Sequence, residues 1–599
     1  MIFPKESDWS VWGIRNDVHK FFFLRWQELF DEDTFDSWQV RTSNVKTILN
    51  EIIESIDIVK DYHSYHANIR DLINEAIDIA TFDIIIKKHF TFLLKHLEII
   101  KQTYEAGVKG KETRDLESFK SLVKVISAYL DGYSDKLKRV IGELLEKGEE
   151  TGFKIELYQL TMALGVDLKS CGYSDQTLRK SLDILKDANE PCFHKRYYRL
   201  LSEYSGALNE YECSYYIQWP PSTPSIDLSQ YNISLSTERK KDQLSDAEYE
   251  FYEKFPPNGI IANTKVQSLD SYSARCLGED QLESLFAVSR LFRPSKKVGI
   301  ISPLVLVYTG TQQFKCFKED TSRLQYIRDR RTAPSMISSF ATLYGKLASE
   351  DAGQFSASLQ HHKLAQLAST DEARLINLWI SLEALVQNGS NNIIERISTY
   401  VSTSVTGGHI YSMLRALAMD INKIWKFSDT SSLLQNISKR SNKNYLHVYD
   451  LLSILRDKEK GDLINSLLEI SAVNTLCVFR ISRQWKIFQD IKSIQKFIEN
   501  HKQIVEWQLR RIYRARNNIV HTGTCAAGTS QLIQNLHTYY TLTINHLIHD
   551  LFKNPNWSIA DSFEHRALVY NYFIKSLTKD QPPSIEVILD PVKAISANN

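Results

Sequence analysis

The sequence has almost no excess of charge of either sign. Its 73 Lys+Arg stand against 72 Asp+Glu, a formal net charge of +1 over 599 residues. A chain so balanced has no whole-molecule attraction for polyanions, so any nucleic-acid surface has to be local. It also has little self-repulsion to oppose oligomerisation. A cysteine framework is missing too. Cys171, Cys192, Cys213, Cys276, Cys316, Cys477 and Cys525 are scattered and odd in number, with no Cys-x-x-Cys and no His/Cys cluster of zinc spacing. They read as reduced, intracellular thiols. There is no long apolar run: V-G-I-I-S-P-L-V-L-V-Y is far too short to span a bilayer. The first residues, M-I-F-P-K-E-S-D-W, contain no basic segment followed by an apolar one. The expectation is a cytoplasmic protein without a membrane segment.

Several chemistries lose their usual signature as well. No G-x-x-x-x-G-K-[ST] occurs, which argues against P-loop nucleotide hydrolysis. H-E-x-x-H and G-x-S-x-G are absent, so neither a zinc-peptidase helix nor a hydrolase elbow is indicated. T-G-G-H-I at 406–410 reads as a turn. No cofactor and no metal site is expected.

The composition is that of a globular protein, with 43% hydrophobic and 24% charged residues. Its length calls for two to four domains. Residues 1–190 show apolar positions at three- and four-residue spacing, as in V-K-T-I-L-N-E-I-I-E-S-I-D-I-V behind the caps Ser43 or Asn44. The cluster H-K-F-F-F-L-R-W near residue 19 fits the packing of an N-terminal helix, with contact to nucleic acid as the alternative.

Near Pro191 the character changes. K-R-Y-Y-R-L-L, Y-E-C-S-Y-Y-I-Q-W, Y-N-I-S-L-S, G-I-I-A-N-T-K-V-Q-S-L-D and G-I-I-S-P-L-V-L-V-Y-T-G have strand character, with a helix starting at S-Y-S-A-R between the last two. A small α+β domain over 191–335 is expected, with a split βαβ unit. The basic joint Y-I-R-D-R-R-T-A-P at 326–334 reads as a solvated linker, with RNA contact as the alternative. From Met336 the helical period returns, giving a helical domain over 336–560 and a tail over 561–599. The fold class expected is mainly α, multi-domain, with a small α+β insert.

Residues 504–524, I-V-E-W-Q-L-R-R-I-Y-R-A-R-N-N-I-V-H-T-G-T, carry most of the functional information. Val505, Leu509, Ile512, Tyr513, Ile519 and Val520 share one side of a helix, and Arg516 lies in the middle of that stripe. Arg510, Arg511 and Arg514 point elsewhere and read as solvated charge. A cation facing a core is costly unless paired. His521 follows in the last turn, and Gly523 is placed to end the helix.

The run R-N-N-I-V-H resembles the Arg-x4-6-His motif of the HEPN superfamily, all-helical domains that include many RNA-cleaving toxins and defence effectors. The longer I-Y-R-A-R-N-N-I-V-H-T-G looks like the Apea-like branch, whose earlier Trp-x-x-x-Glu helix is matched by Trp379 and Glu383 in L-W-I-S-L-E-A-L-V. The likeness covers roughly residues 340–555. It implies a metal-independent endoribonuclease, a toxin or anti-phage effector acting on cellular RNA such as tRNA. It also implies a homodimer formed through the C-terminal domain. In that reading Arg516 stabilises the phosphate, His521 is the acid or base, Asn517 orients one of them, and Glu383 holds Arg516. The N-terminal half would sense an unknown trigger or regulatory partner. The alternative is a catalytically inactive RNA-binding or dimerisation module. Without the likeness, Arg516 reads as a buried salt bridge, perhaps to Glu383, and His521 as a capping histidine. Arg440/His447 and Arg15/His19 have similar spacing but lack the amphipathic helix and glycine stop.

Overall fold

The computed structural model describes residues 4–30, 43–61, 66–110, 114–148, 152–219, 228–237, 244–254, 259–292, 298–309, 313–318, 333–345, 347–368, 370–386, 393–425, 445–457, 461–523, 528–578 and 583–592. It is mainly α-helical, with one five-stranded sheet. Among the described residues no helix is long and apolar enough to cross a membrane.

The N-terminal helices share one core. It draws on Asp17–Leu29, Val45–Asp61, His66–Phe82, Phe92–Gly110, Tyr133–Lys147 and Phe153–Cys171 among others. Phe21, Phe22, Phe23 and Trp26 are fully buried within it, so the basic-aromatic cluster packs rather than facing solvent. Asn16 starts that helix by accepting the amide of Val18 at 2.7 Å.

The stretch K-R-Y-Y-R-L-L is not a strand. It lies in the helix Phe193–Ser202 and extends the N-terminal core to Tyr204. Arg196, Tyr197 and Leu200 fall on one helical face and are buried. Arg196 donates to the carbonyls of Trp12, Leu185 and Glu190 at 2.6, 2.9 and 2.5 Å. The β-prone residue types were outweighed by this helical periodicity.

The sheet begins after that helix. Strands β1 (Asn209–Gln218), β2 (Ile233–Ser236), β3 (Ile260–Ser268), β4 (Gly299–Thr309) and β5 (Gln313–Lys318) lie in the order β2-β3-β1-β4-β5. Every neighbouring pair is antiparallel. Strands β3 and β4 therefore run parallel on either side of β1, joined by the helix Ser271–Phe292, which is a split βαβ arrangement. Tyr215 and Cys213 on β1 and Ala262 and Val266 on β3 bury one face against Ala274, Leu282 and Phe286 of that helix. Gly278 permits the close approach: a Cβ there would lie 2.5 Å from both Tyr215 Oη and Thr264 Oγ1. The opposite face packs Tyr216, Ile261, Leu304 and Leu306 on Phe251 of the helix Asp246–Glu253. Residues 326–332 of the basic joint lie outside the described residues; Ala333 and Pro334 open the helix Ala333–Tyr344.

The C-terminal part holds two cores, not one. The first collects Leu375, Trp379, Leu382, Val401, Val505, Leu509, Ile512, Ile519, Leu536 and Tyr540. The second collects Leu414, Ile421, Leu451, Leu467, Ile481, Ile494, Ile498, Phe573 and Ile588. The helix Ile491–Thr522, called the motif helix below, runs through both. The expected tail over 561–599 needs correcting. The helix Ile559–Ser576 buries Phe563 in the first core and Phe573 in the second, and Val587, Ile588 and Leu589 complete the second. Pro583 precedes the packed helix Ile585–Leu589 rather than the end of the fold, and Pro582 lies outside the described residues.

Candidate functional site

The motif helix is well delimited. Asp490 caps its start by accepting the Ser493 amide at 2.9 Å. Gly523 ends it in the left-handed region, φ 74°, and donates its amide to Ile519 O at 2.7 Å. The apolar stripe read from the sequence holds for Val505, Leu509, Ile512 and Ile519, which are buried. It fails at Val520, which is 53% exposed. The helix emerges from the bundle in its last turn, so the 3.6-residue period continues there without a core to face.

Arg516 is half-buried on the stripe side. Its Nη1 donates to Asn517 Oδ1 at 2.9 Å. Its Nε is buried with no hydrogen-bond partner among the described residues. Asn517 is buried, so its amide oxygen forms a fixed acceptor for the guanidinium. His521 and Thr522 are exposed at the helix end. Five helical residues carry the chain about 500° round and about 7.5 Å along the axis, so Arg516 and His521 project about 140° apart.

Glu383 does not hold Arg516. It is half-buried near the end of the helix Asp371–Leu385, and no ion pair joins the two among the described residues. Trp379, one turn earlier, does reach the motif helix. It is fully buried, with its ring 5.4 Å from that of Tyr513. The Trp-x-x-x-Glu helix thus supports the motif helix through the tryptophan. The structure brings Arg516 and Asn517 together, sets His521 at the same helix end, and leaves Glu383 apart from the guanidinium.

The arginines read as solvated charge are the largest correction. Arg511 is 5% exposed and lies between two carboxylates of the N-terminal helices. Its Nε donates to Glu51 at 2.9 and 3.0 Å, and its Nη atoms donate to Glu75 at 3.1 and 2.9 Å. Arg510 makes a forked pair with Glu395 at 2.9 and 2.8 Å and reaches Asp71 at 3.1 Å. Arg514 reaches Glu51 at 3.5 Å. Burial alone would lower the pKa of Arg511, but the attraction and hydrogen bonds of Glu51 and Glu75 outweigh it and hold the guanidinium charged. The motif helix has a second buried face, turned to the helices Val45–Asp61 and His66–Phe82. The partner carboxylates lie more than 430 residues away in sequence. No local pattern could have named them.

The decoy pairs find structural roles. His447 caps the start of the helix Val448–Arg456, while Arg440 lies outside the described residues. His19 contacts Leu145 O through Nε2 at 2.8 Å and stacks on Phe193. His409, in the stretch read as a turn, opens the helix His409–Trp425 after Gly408 and is buried against His501 of the motif helix, with ring centroids 3.5 Å apart. The sequence reading missed His501; a polar residue in an apolar helical register was the available signal. Comparison of the chain with family models, with curated proteins and with solved structures finds no match.

Proposed function

We propose that the chain is a metal-independent endoribonuclease of HEPN type, with Arg516 and His521 as its catalytic residues and RNA as its substrate. One observation carries the reading. Arg510, Arg511 and Arg514 on the motif helix each reach a carboxylate. Among the described residues Arg516 has the neutral Asn517 amide as its partner, and the exposed His521 follows in the last turn of the same helix. A half-buried guanidinium held by a neutral acceptor keeps its full charge for an anionic ligand.

The chemistry is that of RNA's own 2′-hydroxyl. Its oxygen forms a bond to the adjacent phosphorus while the bond from phosphorus to the 5′-oxygen breaks. The proton leaving the 2′-hydroxyl goes to a base, and an acid supplies one to the departing 5′-oxygen. Histidine, whose ordinary pKa lies near neutrality, suits either transfer. The Arg516 fork suits the developing charge on the phosphoryl oxygens. The products are 2′,3′-cyclic phosphate and 5′-hydroxyl ends. Because the two side chains project about 140° apart on one helix, a shared groove between two copies, joined through the C-terminal domain, completes the constellation. Asn517 acts as a positioning residue for Arg516. A toxin or anti-phage role, with activity held down until a trigger arrives, follows from the same reading.

The test is cleavage of total RNA by the purified chain in EDTA. His521→Ala is expected to lose about 10²–10⁴-fold of the rate. Arg516→Ala should lose about 10²–10³-fold, and Arg516→Lys should fail similarly because a point charge does not replace the fork. Shifted RNA mobility without cleavage would favour a binding module instead.

A further inference from the structure

A second feature lies at the other end of the motif helix. A cavity of about 320 Å³ opens where the N-terminal helices meet the helices His409–Trp425 and Ile491–Thr522. This volume is at the lower end of the range for small-molecule pockets, about 300–1,000 Å³. Domain junctions are a common place for such pockets.

Its walls have a definite chemistry. Phe497, His501 and Ile504 line it from one face of the motif helix. His501, His409 and Phe497 form a column of stacked rings: the histidine centroids are 3.5 Å apart at 17°, and His409 and Phe497 are 5.3 Å apart at 27°. Thr406 Oγ1 lies 3.2 Å from His501 Nδ1 and fixes that ring. Two charged side chains line the cavity, Asp83 and Arg483. Asp83 is committed: it caps the amides of Ile85 and Ile86 at 2.8 and 3.0 Å and accepts the Tyr133 hydroxyl at 2.5 Å. Arg483 makes no ion pair among the described residues; its guanidinium lies 5.3 Å from the Tyr158 ring centroid. Burial pushes the His501 pKa down to about 3, so that ring is neutral at physiological pH. Among the described residues the available charge on the cavity wall is the cation of Arg483.

We propose that this cavity binds a small planar aromatic anion, packed against the ring edges of the His501–His409–Phe497 column with its acidic group on Arg483. The column offers positive ring edges for an edge-to-face contact, and the guanidinium offers a forked donor for a carboxylate, sulfonate or phosphate. The cavity's two sides belong to the N-terminal helices and to the motif helix, so the ligand bridges them through packed atoms rather than through a linker. The assignment does not rest on ribonuclease activity.

The probe is 1-anilinonaphthalene-8-sulfonate, titrated into the full chain and followed by its fluorescence. Saturable binding to one site per chain is expected. Arg483→Gln should weaken it about tenfold, the scale of a charged hydrogen bond. Ile155→Glu places an anion at the rim, where Ile155 is 59% exposed, and should also weaken it without disturbing the core. The uncharged N-phenyl-1-naphthylamine should bind more weakly than the sulfonate and be indifferent to Arg483→Gln. Equal sulfonate affinity in wild type and both variants would overturn the site. Tighter binding of the uncharged probe would overturn the anion assignment. Far-UV circular dichroism of each variant checks that the fold is kept. RNA cleavage is not read, so failure here leaves the nuclease reading standing, and failure of that reading leaves this one standing.

Discussion

Two groups of arginines on one helix meet opposite surroundings. Arg510, Arg511 and Arg514, in the middle of the motif helix, are gripped by Glu51, Asp71, Glu75 and Glu395. Arg516, less than one turn on, has the neutral side chain of Asn517. A buried guanidinium with matched carboxylates is spent on holding two parts of the fold together. One held by a neutral amide has no carboxylate on it among the described residues, and that difference is what the proposed role of Arg516 rests on. Residue type does not separate the two groups; the counter-charges do.

The largest expected effect breaks the paired group. Arg511→Ala leaves the buried Glu75 without its cation and Glu51 with only the longer contact to Arg514 at 3.5 Å. Breaking a buried pair from one side costs about 3–5 kcal/mol. Thermal melting should show a large drop, and limited proteolysis should show the N-terminal helices released from the motif helix. A melt within a degree of wild type would show that the ionic contact contributes little.

A pH series sharpens the contrast between histidines. Burial pushes His501 down to about 3, His537 to about 4 and His546 to about 3, and it lowers His362 as well. A histidine whose folded pKa is depressed adds stability that is fully present above its unfolded value of about 6.5. That stability is lost as pH falls from there toward the folded value, because the unfolded chain then binds more protons. Melting temperatures should therefore hold near pH 7 and fall steadily below about 6.5, at roughly 1 kcal/mol per pH unit for each such histidine. His537→Gln should flatten that slope.

The smallest stability effect is expected at the proposed site itself. Arg516→Ala removes one hydrogen bond from a half-buried side chain, worth about 0.5–1.5 kcal/mol. Glu383→Gln should change both stability and RNA cleavage little, since Glu383 makes no ion pair with Arg516. A cleavage loss in Glu383→Gln as large as in Arg516→Ala would restore Glu383 to the site.

How much of this was legible in the sequence depended on the range of the interaction. The motif helix, its Asp490 start and its Gly523 stop are local, and Gly523 in particular was readable as a left-handed cap. The mixed segment was readable from the partial alternation of β1 and the continuous apolar run Leu304–Val307 of β4, whereas Phe193–Ser202 differs from its strand reading because Tyr197 and Tyr198 favour strands by type. The second C-terminal core and the packing of Phe573 and Ile588 were not readable, because burial there is decided by elements far away in the chain. The same holds for Arg511. Its position on the helical wheel excluded it from one core, and only the fold shows that a second surface waits on the other side. At the site, Arg516 and His521 were singled out by the likeness of R-N-N-I-V-H to the Arg-x4-6-His motif at the end of an amphipathic helix, while the Asn517 contact to Arg516 required coordinates.

The most direct test compares RNA cleavage in EDTA by wild type, His521→Ala and Arg516→Lys, with end-group analysis of the fragments. The account predicts 2′,3′-cyclic phosphate and 5′-hydroxyl ends from wild type, and loss of cleavage in both variants while their melting temperatures stay near wild type. Cleavage that survives in both folded variants, or that EDTA abolishes in wild type, would contradict it.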